Sequence, residues 1–587
     1  MQPDEIVRKI LEGRGIVSND EIGEFLSKKP KLTYDPFLLP GMEAGTDLVL
    51  NMLSENERIC VYGDYDADGI CGTALLHLFL RKAALSLGSG SEIEYYIPSR
   101  TGEGYGLNKG ALRIIRDQGT GLVITADCGS ASADEVSYSR EIGLDIIVTD
   151  HHDPDSDRVP DCIMINPKLK TAAGPDVIAS EAPVITNKAS VIASEAKQSS
   201  GGYPFEGLSG TGVAFKLCQA LADRLGAETP LRTYLHSMVD LVCIATIADV
   251  MPLTDENRTF VKYGLPMLRK GTRPCLRELL VVSGIDPGKL DVREVAFGIA
   301  PRINALGRIS DASPGVEFFL TDNEDRIREI ACLMNEFNTE RKAIQEECFD
   351  KCMELYTGDL DEKGVPRHLF LLLRPIGSYE GVAGIVAGKM REETGLPCAV
   401  LSESGDDISV LKGSARGGGR LNLIGLLKTH ADLLVRYGGH SSAAGFSLFA
   451  ENEGLLRERL SSDLRMKFLE EPDLLDEEAE AELEIDKDDI TTGLAEAIDE
   501  LSPFGNGNPR PLLMFTLNAK DISDLRYMGQ GGKHIRFSAN GLPCVFFGGA
   551  KTAFPDEGIL RITGCPVINL WNGKKDLQFA VECVDVL

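Results

Sequence analysis

At 587 residues the chain is too long for a single hydrophobic core, and about three to five domains are expected. Its 43% hydrophobic and 26% charged residues are those of an ordinary soluble globular protein, and no apolar run approaches the ~20 residues of a membrane span. A net charge of −29 argues against a surface-wide nucleic-acid footprint, but it leaves room for a local basic groove or for bound metal ions that invert the field at a site.

The N-terminus, MQPDEIVRKILEGRG, has no signal-peptide apolar region. Fourteen cysteines are scattered without a CxxC pair, so they read as reduced, packed thiols of a cytoplasmic protein rather than a zinc ribbon or disulfide framework.

Residues 1–45 read as short helices capping the first domain. The next stretch, ICVYGDYDADGIC (59–71), organises the chain. A buried strand ends at Gly63. Asp64, Asp66 and Asp68 follow at alternate positions, and a helical pattern begins after Gly69. Open α/β sheets place their ligands at such strand ends. Three clustered carboxylates repel one another unless a cation joins them, although an Asx-rich solvated turn is the bland alternative.

Strands are expected at 93–98, 122–127 and 145–150, with helices at 109–118 and 131–143, which makes a doubly wound α/β domain. The strand ends carry a Gly-rich loop with Arg100, then Asp127, then Asp150-His151-His152-Asp153. An Asp triplet, an Asp and an Asp-His-His at separate strand ends can meet at one crevice. His77 and His430 sit in apolar helical patterns and read as core. Asp249 ends an apolar helix, where a structural turn aspartate is the alternative. The segment APRINALGRISDA presents Arg302, Asn304 and Arg308.

The resulting domain expectation is a catalytic α/β domain over 46–320, a connecting helix over 321–358 and a second α/β domain over 359–468. An acidic linker or helical segment over 469–509 and a β-rich, OB-like barrel over 510–587 complete it. In the second domain, Ser414, Arg416 and the Gly-Gly-His turn at His440 offer phosphate-holding groups. In the barrel, Lys533, His534 and Arg536 lie among Tyr527, Phe546, Phe547 and Trp571, an interleaving that suits single strands, though most such aromatics are core.

These motifs, nearly end to end and in order, resemble the DHH phosphoesterases, and within them the RecJ-type single-strand-specific 5′→3′ exonucleases. The resemblance rests on GDYDADG, SRTGEGYGLN, TADCG, TDHHD, YPFEGLSGTGVAFKL, TIADVMPL, APRINALGRISDA, GVAGIVA, KGSAR, GGHSSAAG and LSPFGNGNPRP. It implies DHH and DHHA1 type α/β domains joined by a long helix, followed by the OB-like barrel.

The resemblance also implies two divalent ions, Mn²⁺ or Mg²⁺, held by Asp64, Asp66, Asp68, Asp127, His151, His152 and Asp249, with Asp127 bridging. Asp127, His152, Arg302 and Arg308 would serve catalysis, and Arg100, Arg302, Arg308, Ser414, Arg416 and His440 would hold phosphates. The activity implied is two-metal hydrolysis of single-stranded DNA to 5′-mononucleotides in DNA repair and recombination. The expected partners are single-stranded DNA, a helicase and a single-strand-binding protein, with a monomeric chain and no membrane.

A phosphodiesterase of the same superfamily acting on cyclic dinucleotides or short oligonucleotides is the alternative, and a catalytically dead DNA-binding relative is the non-enzymatic one. Ser378 and Tyr379 replace the family's usual Trp-His before the GVAGIVA segment, which puts a phosphate or base contact there in doubt. VIASEA occurs at 177–182 and again at 191–196, within an Ala/Ser-rich stretch without aromatics. Residues 169–202 therefore read as a dispensable, mobile surface insertion.

Overall fold

The computed structural model describes residues 1–100, 103–154, 158–170, 202–226, 230–377, 379–404, 407–475, 480–552, 554–571 and 574–587. The insertion expected at 169–202 lies, from 171 to 201, outside the described residues, as does Ser378. The chain forms two units. One comprises Met1–Gly307, Asp311–Cys332 and Ala479–Leu587, and the other Arg308–Ser310 and Leu333–Glu478.

In the first unit, β1 (Arg58–Gly63), β2 (Ile93–Tyr96), β3 (Thr120–Ala126), β4 (Asp145–Thr149) and β5 (Ile163–Ile165) form a parallel sheet in the order β2-β1-β3-β4-β5. The apolar runs seen in the sequence are β1, β3 and β4. β5 is too short to show a period. The strand order reverses between β1 and β3, and Gly63 pairs with Ala126 there. The residues that follow, Asp64 and Asp127, therefore leave the sheet side by side at its switch point.

The helix Ala67–Leu87 behind this edge packs against the helices Gly210–Arg224 and Val239–Ala248. Ala67–Leu87 and Pro230–Ala248 reach membrane-span length, at mean hydropathies of 1.4 and 1.2, because they are core helices with 67% of those windows buried. This departs from the expectation that no apolar run has such a length.

The helix Glu324–Asp359, 36 residues long, leads into the second unit. There β6 (Leu371–Leu373), β7 (Cys398–Ser404), β8 (Asp407–Arg416), β9 (Leu434–Gly439) and β10 (Ala443–Phe449) form a mixed sheet in the order β6-β7-β8-β10-β9. Tyr379 is buried, and its hydroxyl accepts from Lys351 Nζ at 2.6 Å and donates to Glu347 at 2.9 Å. It braces the long helix.

The C-terminal part departs from a closed barrel. β11 (Leu483–Glu484), β12 (Leu513–Asn518), β13 (Ile522–Met528), β14 (His534–Ala539), β15 (Leu542–Phe546), β16 (Ile559–Trp571) and β17 (Lys574–Val586) form one seven-stranded sheet. Its order is β11-β12-β16-β17-β15-β14-β13, with β11 and β13 at its two ends. Two helices, Pro3–Gly13 and Thr492–Asp499, pack on its apolar face. Ile6, Val7, Ile10 and Leu11 of the first and Leu494 and Ile498 of the second share one core with Leu513, Phe515, Phe537, Ile562 and Phe579.

Two domain expectations change as a result. The helix at the start of 1–45 does not cap the first α/β domain, because its apolar stripe is buried in the C-terminal core. The segment 469–509 is not merely an acidic linker, because Ile485, Ile490, Leu494, Ile498 and Leu501 anchor it in the same core.

Ile10→Ala removes a side chain that is 1% exposed and is expected to destabilise the C-terminal core by about 2–4 kcal/mol. A urea titration of the full chain followed by far-UV circular dichroism, with the wild type alongside, checks this. An unchanged unfolding midpoint would remove Ile10 from the C-terminal core.

Candidate metal centre

Backbone pairing continues past the strand ends and fixes the acids in place. The N–H of Asp64 donates to Ala126 O at 3.2 Å, that of Asp127 to Thr149 O at 3.1 Å, and that of Asp150 to Ile165 O at 3.2 Å. Asp127 takes a left-handed φ of +66°, which a short polar side chain tolerates better than a bulky one. Gly210 lies against it, and a Cβ on Gly210 would fall 2.5 Å from the Asp127 side chain.

The first-motif aspartates divide their tasks. Asp66 caps the helix Ala67–Leu87, its Oδ1 accepting from the N–H groups of Asp68 and Gly69 at 2.9 and 3.0 Å. The helix therefore starts two residues before the glycine at which the sequence pattern begins. Asp68 accepts from the N–H groups of Gly210 at 2.8 Å and Thr211 at 2.7 Å, the N-terminus of the helix Gly210–Arg224, where partial positive charge favours a carboxylate. Asn304 Oδ1 accepts from Ala67 N–H at 2.6 Å and ties the helix Ala300–Ile309 to the same turn.

His151 Nε2 lies 3.1 Å from Asp127 Oδ1, 3.4 Å from Asp249 Oδ2 and 3.9 Å from Asp68 Oδ2. His152 Nδ1 is 2.8 Å from Asp150 Oδ1 and 3.0 Å from the Tyr105 hydroxyl. Asp150 also accepts from the backbone N–H groups of Ser130 and His151, at 2.8 and 2.7 Å. It holds the imidazole, a role that nothing in Asp-His-His distinguishes from ligation.

Three sets of ligand atoms, each within 4.8 Å of one another, result: Asp127/His151/His152, Asp68/His151/Asp249 and Asp64/Asp66/Asp127. Asp127 and His151 each belong to two sets. The cluster thus brings together all seven expected ligands. Asp64 Oδ1, Asp127 Oδ1 and His151 Nε2 are buried without a hydrogen-bond partner, although the last two approach so closely. Buried polar atoms are rarely orphaned, and converging lone pairs of oxygen and imidazole nitrogen fit a hard or borderline divalent cation such as Mg²⁺ or Mn²⁺.

Electrostatics agree with that fit. Burial, then the neighbouring carboxylates, pushes Asp64, Asp66 and Asp127 above the usual range, and pushes Asp249 up to about 8. Burial also raises Asp150, but His152 and His151 outweigh it and hold Asp150 below that range. Burial lowers His151. For His152 the bond to Asp150 overcomes burial and lifts the imidazole to about 9.

Among the expected phosphate groups, Arg100 stacks over the Tyr65 ring at 5.2 Å, and its charge reaches Asp64. Arg302 donates to Gly298 O at 2.7 Å. The remainder belong to the second unit, where Arg308 donates to Gly381 O at 2.6 Å. Ser414 and Arg416 share one face of β8, and a Cβ on Gly384 would meet them at 2.8 and 2.9 Å, so that glycine keeps the face open. His440 sits at the turn between β9 and β10. Reading the sequence singled out Asp150 and Asn304 without giving them these roles, and it missed Tyr105 and the Gly210–Thr211 amides. The last lie within a quoted motif, but backbone donors leave no residue-type signal.

With metal chelated, Asp64, Asp127 and Asp249 retain protons that the unfolded chain has released, so stability falls as pH rises through about 8. The melting temperature in chelator is expected to drop between about pH 7 and about pH 8.5. Cations replace those protons, so the rise in melting temperature on adding Mn²⁺ is expected to be larger at the higher pH. A metal-free melting temperature that climbs across the window would rule out the carboxylates as its cause.

Comparison with known proteins agrees with this architecture. The DHH family N-terminal domain matches residues 58–246, the DHHA1 domain 371–465 and the RecJ OB domain 481–583. The single-stranded-DNA-specific exonuclease RecJ of Bacillus subtilis is 34% identical over 98% of this chain and 67% of its own length. That of Dickeya dadantii is 32% identical over 98% of this chain and 95% of its own. The crystal structure of RecJ from Thermus thermophilus in complex with Mn²⁺ aligns at a TM-score of 0.76 and 26% identity, covering 98% of this chain and 75% of the other. The chain therefore belongs to the RecJ family of DHH phosphoesterases.

Proposed function

We propose that the chain is a single-stranded-DNA-specific exonuclease, working 5′→3′ and releasing 5′-mononucleotides in the cytoplasm with two divalent ions, Mn²⁺ or Mg²⁺. The observation that carries this reading is the cluster of buried, orphaned carboxylate and imidazole atoms in a RecJ-family chain.

Asp64, Asp66, Asp68, Asp127, His151, His152 and Asp249 would hold the ions, with Asp127 common to both because it belongs to two ligand sets. When bound, the ions supply the Lewis acidity that polarises a phosphodiester and activates water. The protein fixes the geometry. Asp150 clamps His152 through Nδ1, which leaves Nε2 of a half-exposed ring for ligand or substrate oxygen. Arg100, Arg302 and Arg308 are assigned to charge on the scissile phosphate. Ser414, Arg416 and His440 are assigned to the terminal one.

Strand capture is assigned to the C-terminal sheet. Arg526 stands directly opposite Arg536 across β13 and β14, an arrangement that like-charge repulsion disfavours unless an anion lies over it. His534 shares that face, and Tyr527 and Phe547 are 61% and 67% exposed, whereas Phe537 is core. The Trp571 side chain lies outside the described residues. The match to a RecJ OB domain favours this reading over a cyclic-dinucleotide or short-oligonucleotide phosphodiesterase.

Mn²⁺-dependent release of mononucleotides from end-labelled single strands, compared with duplex and cyclic dinucleotides, tests the function. Asp127→Ala is expected to abolish turnover while sparing most strand binding, and residual activity above a few per cent would remove Asp127 from the centre. Arg416→Ala is expected to weaken 5′-phosphorylated strands more than 5′-hydroxyl ones. Equal losses on both would leave Arg416 as a mere backbone contact.

A further inference from the structure

Most carboxylates of the metal centre are fixed by their own strand or by backbone donors. Asp249 differs, because it sits at the C-terminal end of the helix Val239–Ala248, where the helix dipole disfavours negative charge. The turn after it closes by Val250 N–H to Ile247 O at 3.2 Å and Met251 N–H to Thr246 O at 3.0 Å. This is a Schellman closure, whose left-handed position normally holds glycine. Here Val250 occupies it, with φ +54° and a side chain 66% exposed. A β-branched residue disfavours that conformation, and side-chain burial does not compensate.

Compensation comes from the far end of the chain. Asn506 Nδ2 donates to Val250 O at 2.8 Å, 256 residues away, and Asn506 O accepts from Leu253 N–H at 2.7 Å. One residue thus spans the turn from both sides. Its own loop is rigid. Gly505 and Asn508 exchange N–H···O bonds at 3.0 and 3.1 Å, and the buried Asn508 side chain bonds Leu501 O and Pro503 O and accepts from Arg14 at 2.6 Å. Gly507 has φ +70°, and a Cβ there would meet Pro252 at 2.9 Å.

We propose that Asn506, in the C-terminal part of the chain, is a positioning residue for the carboxylate of Asp249. By holding Val250 left-handed, it sets the reach of Asp249 toward His151 and the ion between them. The assignment rests on reading the cluster as a metal centre.

The test uses the full-length chain, with Mn²⁺ uptake measured calorimetrically alongside kcat and KM on single strands. Asn506→Ala is expected to melt close to wild type when metal-free, to bind Mn²⁺ about 10-fold more weakly and to lose kcat about 10-fold or more, with KM for DNA little changed. Adding Val250→Gly, which takes the left-handed conformation without a clamp, is expected to restore most of the Mn²⁺ affinity. Wild-type Mn²⁺ affinity in Asn506→Ala, a loss confined to KM, or no recovery with Val250→Gly would each overturn the assignment while the metal-centre reading stands. Failure of the wild-type chain to take up Mn²⁺ would overturn both.

Discussion

The mutual repulsion of carboxylates in a buried volume is the constraint around which this protein is built. Asp64, Asp68, Asp127 and Asp150 are all nearly inaccessible, at 4%, 1%, 2% and 0% exposure, and Asp66 and Asp249 adjoin them. The fold answers the repulsion in two ways. Some of the acids are neutralised by protein dipoles: Asp66 by the helix it caps, Asp68 by the amides of Gly210 and Thr211, and Asp150 by three amides and an imidazole. One oxygen each of Asp64 and Asp127, Oδ1, is left without a hydrogen bond. Amide donors thus fix Asp66 and Asp68 within the ligand sets, while the unpartnered oxygens of Asp64 and Asp127 are left for a cation.

Close backbone approach is what allows the cluster to be so dense. Gly69 passes over Asp64, and Gly210 over Asp127, so tightly that a Cβ at either would fall about 2.5 Å from its neighbour. Two helix N-termini, at Ala67 and Gly210, thereby converge on one point. Their partial positive charges replace part of the hydration that burial removes. Asp127 and Val250 hold left-handed backbones beside this point, which is where strain is tolerated when surrounding bonds over-determine it.

The acids and imidazoles were legible in the sequence because β1, β3 and β4 are apolar runs with polar residues at their ends. β5 was not, since three residues carry no period, yet it supplies the carbonyl that pins Asp150. The division of labour between Asp150 and the two histidines was equally hidden, because a clamp and a ligand have the same side-chain chemistry. The N-terminal helix was readable as a helix, but its apolar residues do not name their partner. Ile6 and Leu11 would suit any core, and only the fold shows them among Phe515, Phe537 and Phe579. The acidic run at 470–489 obscured the apolar anchors Ile485 and Ile490 because net charge averages over faces that packing separates. The GGH turn and KGSAR strand were visible as motifs, whereas the gap that Gly384 leaves for Ser414 and Arg416 is a property of packing alone.

The pairing of first and last segments orders assembly. The apolar face of the helix Pro3–Gly13 is buried by elements far along the chain, the helix Thr492–Asp499 and strands of the C-terminal sheet. Arg14 likewise finds Glu482 at 2.7 Å and Asn508 at 2.6 Å. Contacts of such sequence separation form late, after the local βα units have folded. The parallel sheet and its cluster of acids can therefore assemble before the C-terminal sheet, but the brace on the Asp249 turn cannot, since Asn506 is fixed only when its loop docks. The cluster of acids thus depends on contacts of long sequence separation, from Gly210 and Thr211 to Asp68 and from Asn506 to the turn after Asp249. A chain that has not buried its N-terminal helix would carry the acids without the brace at that turn.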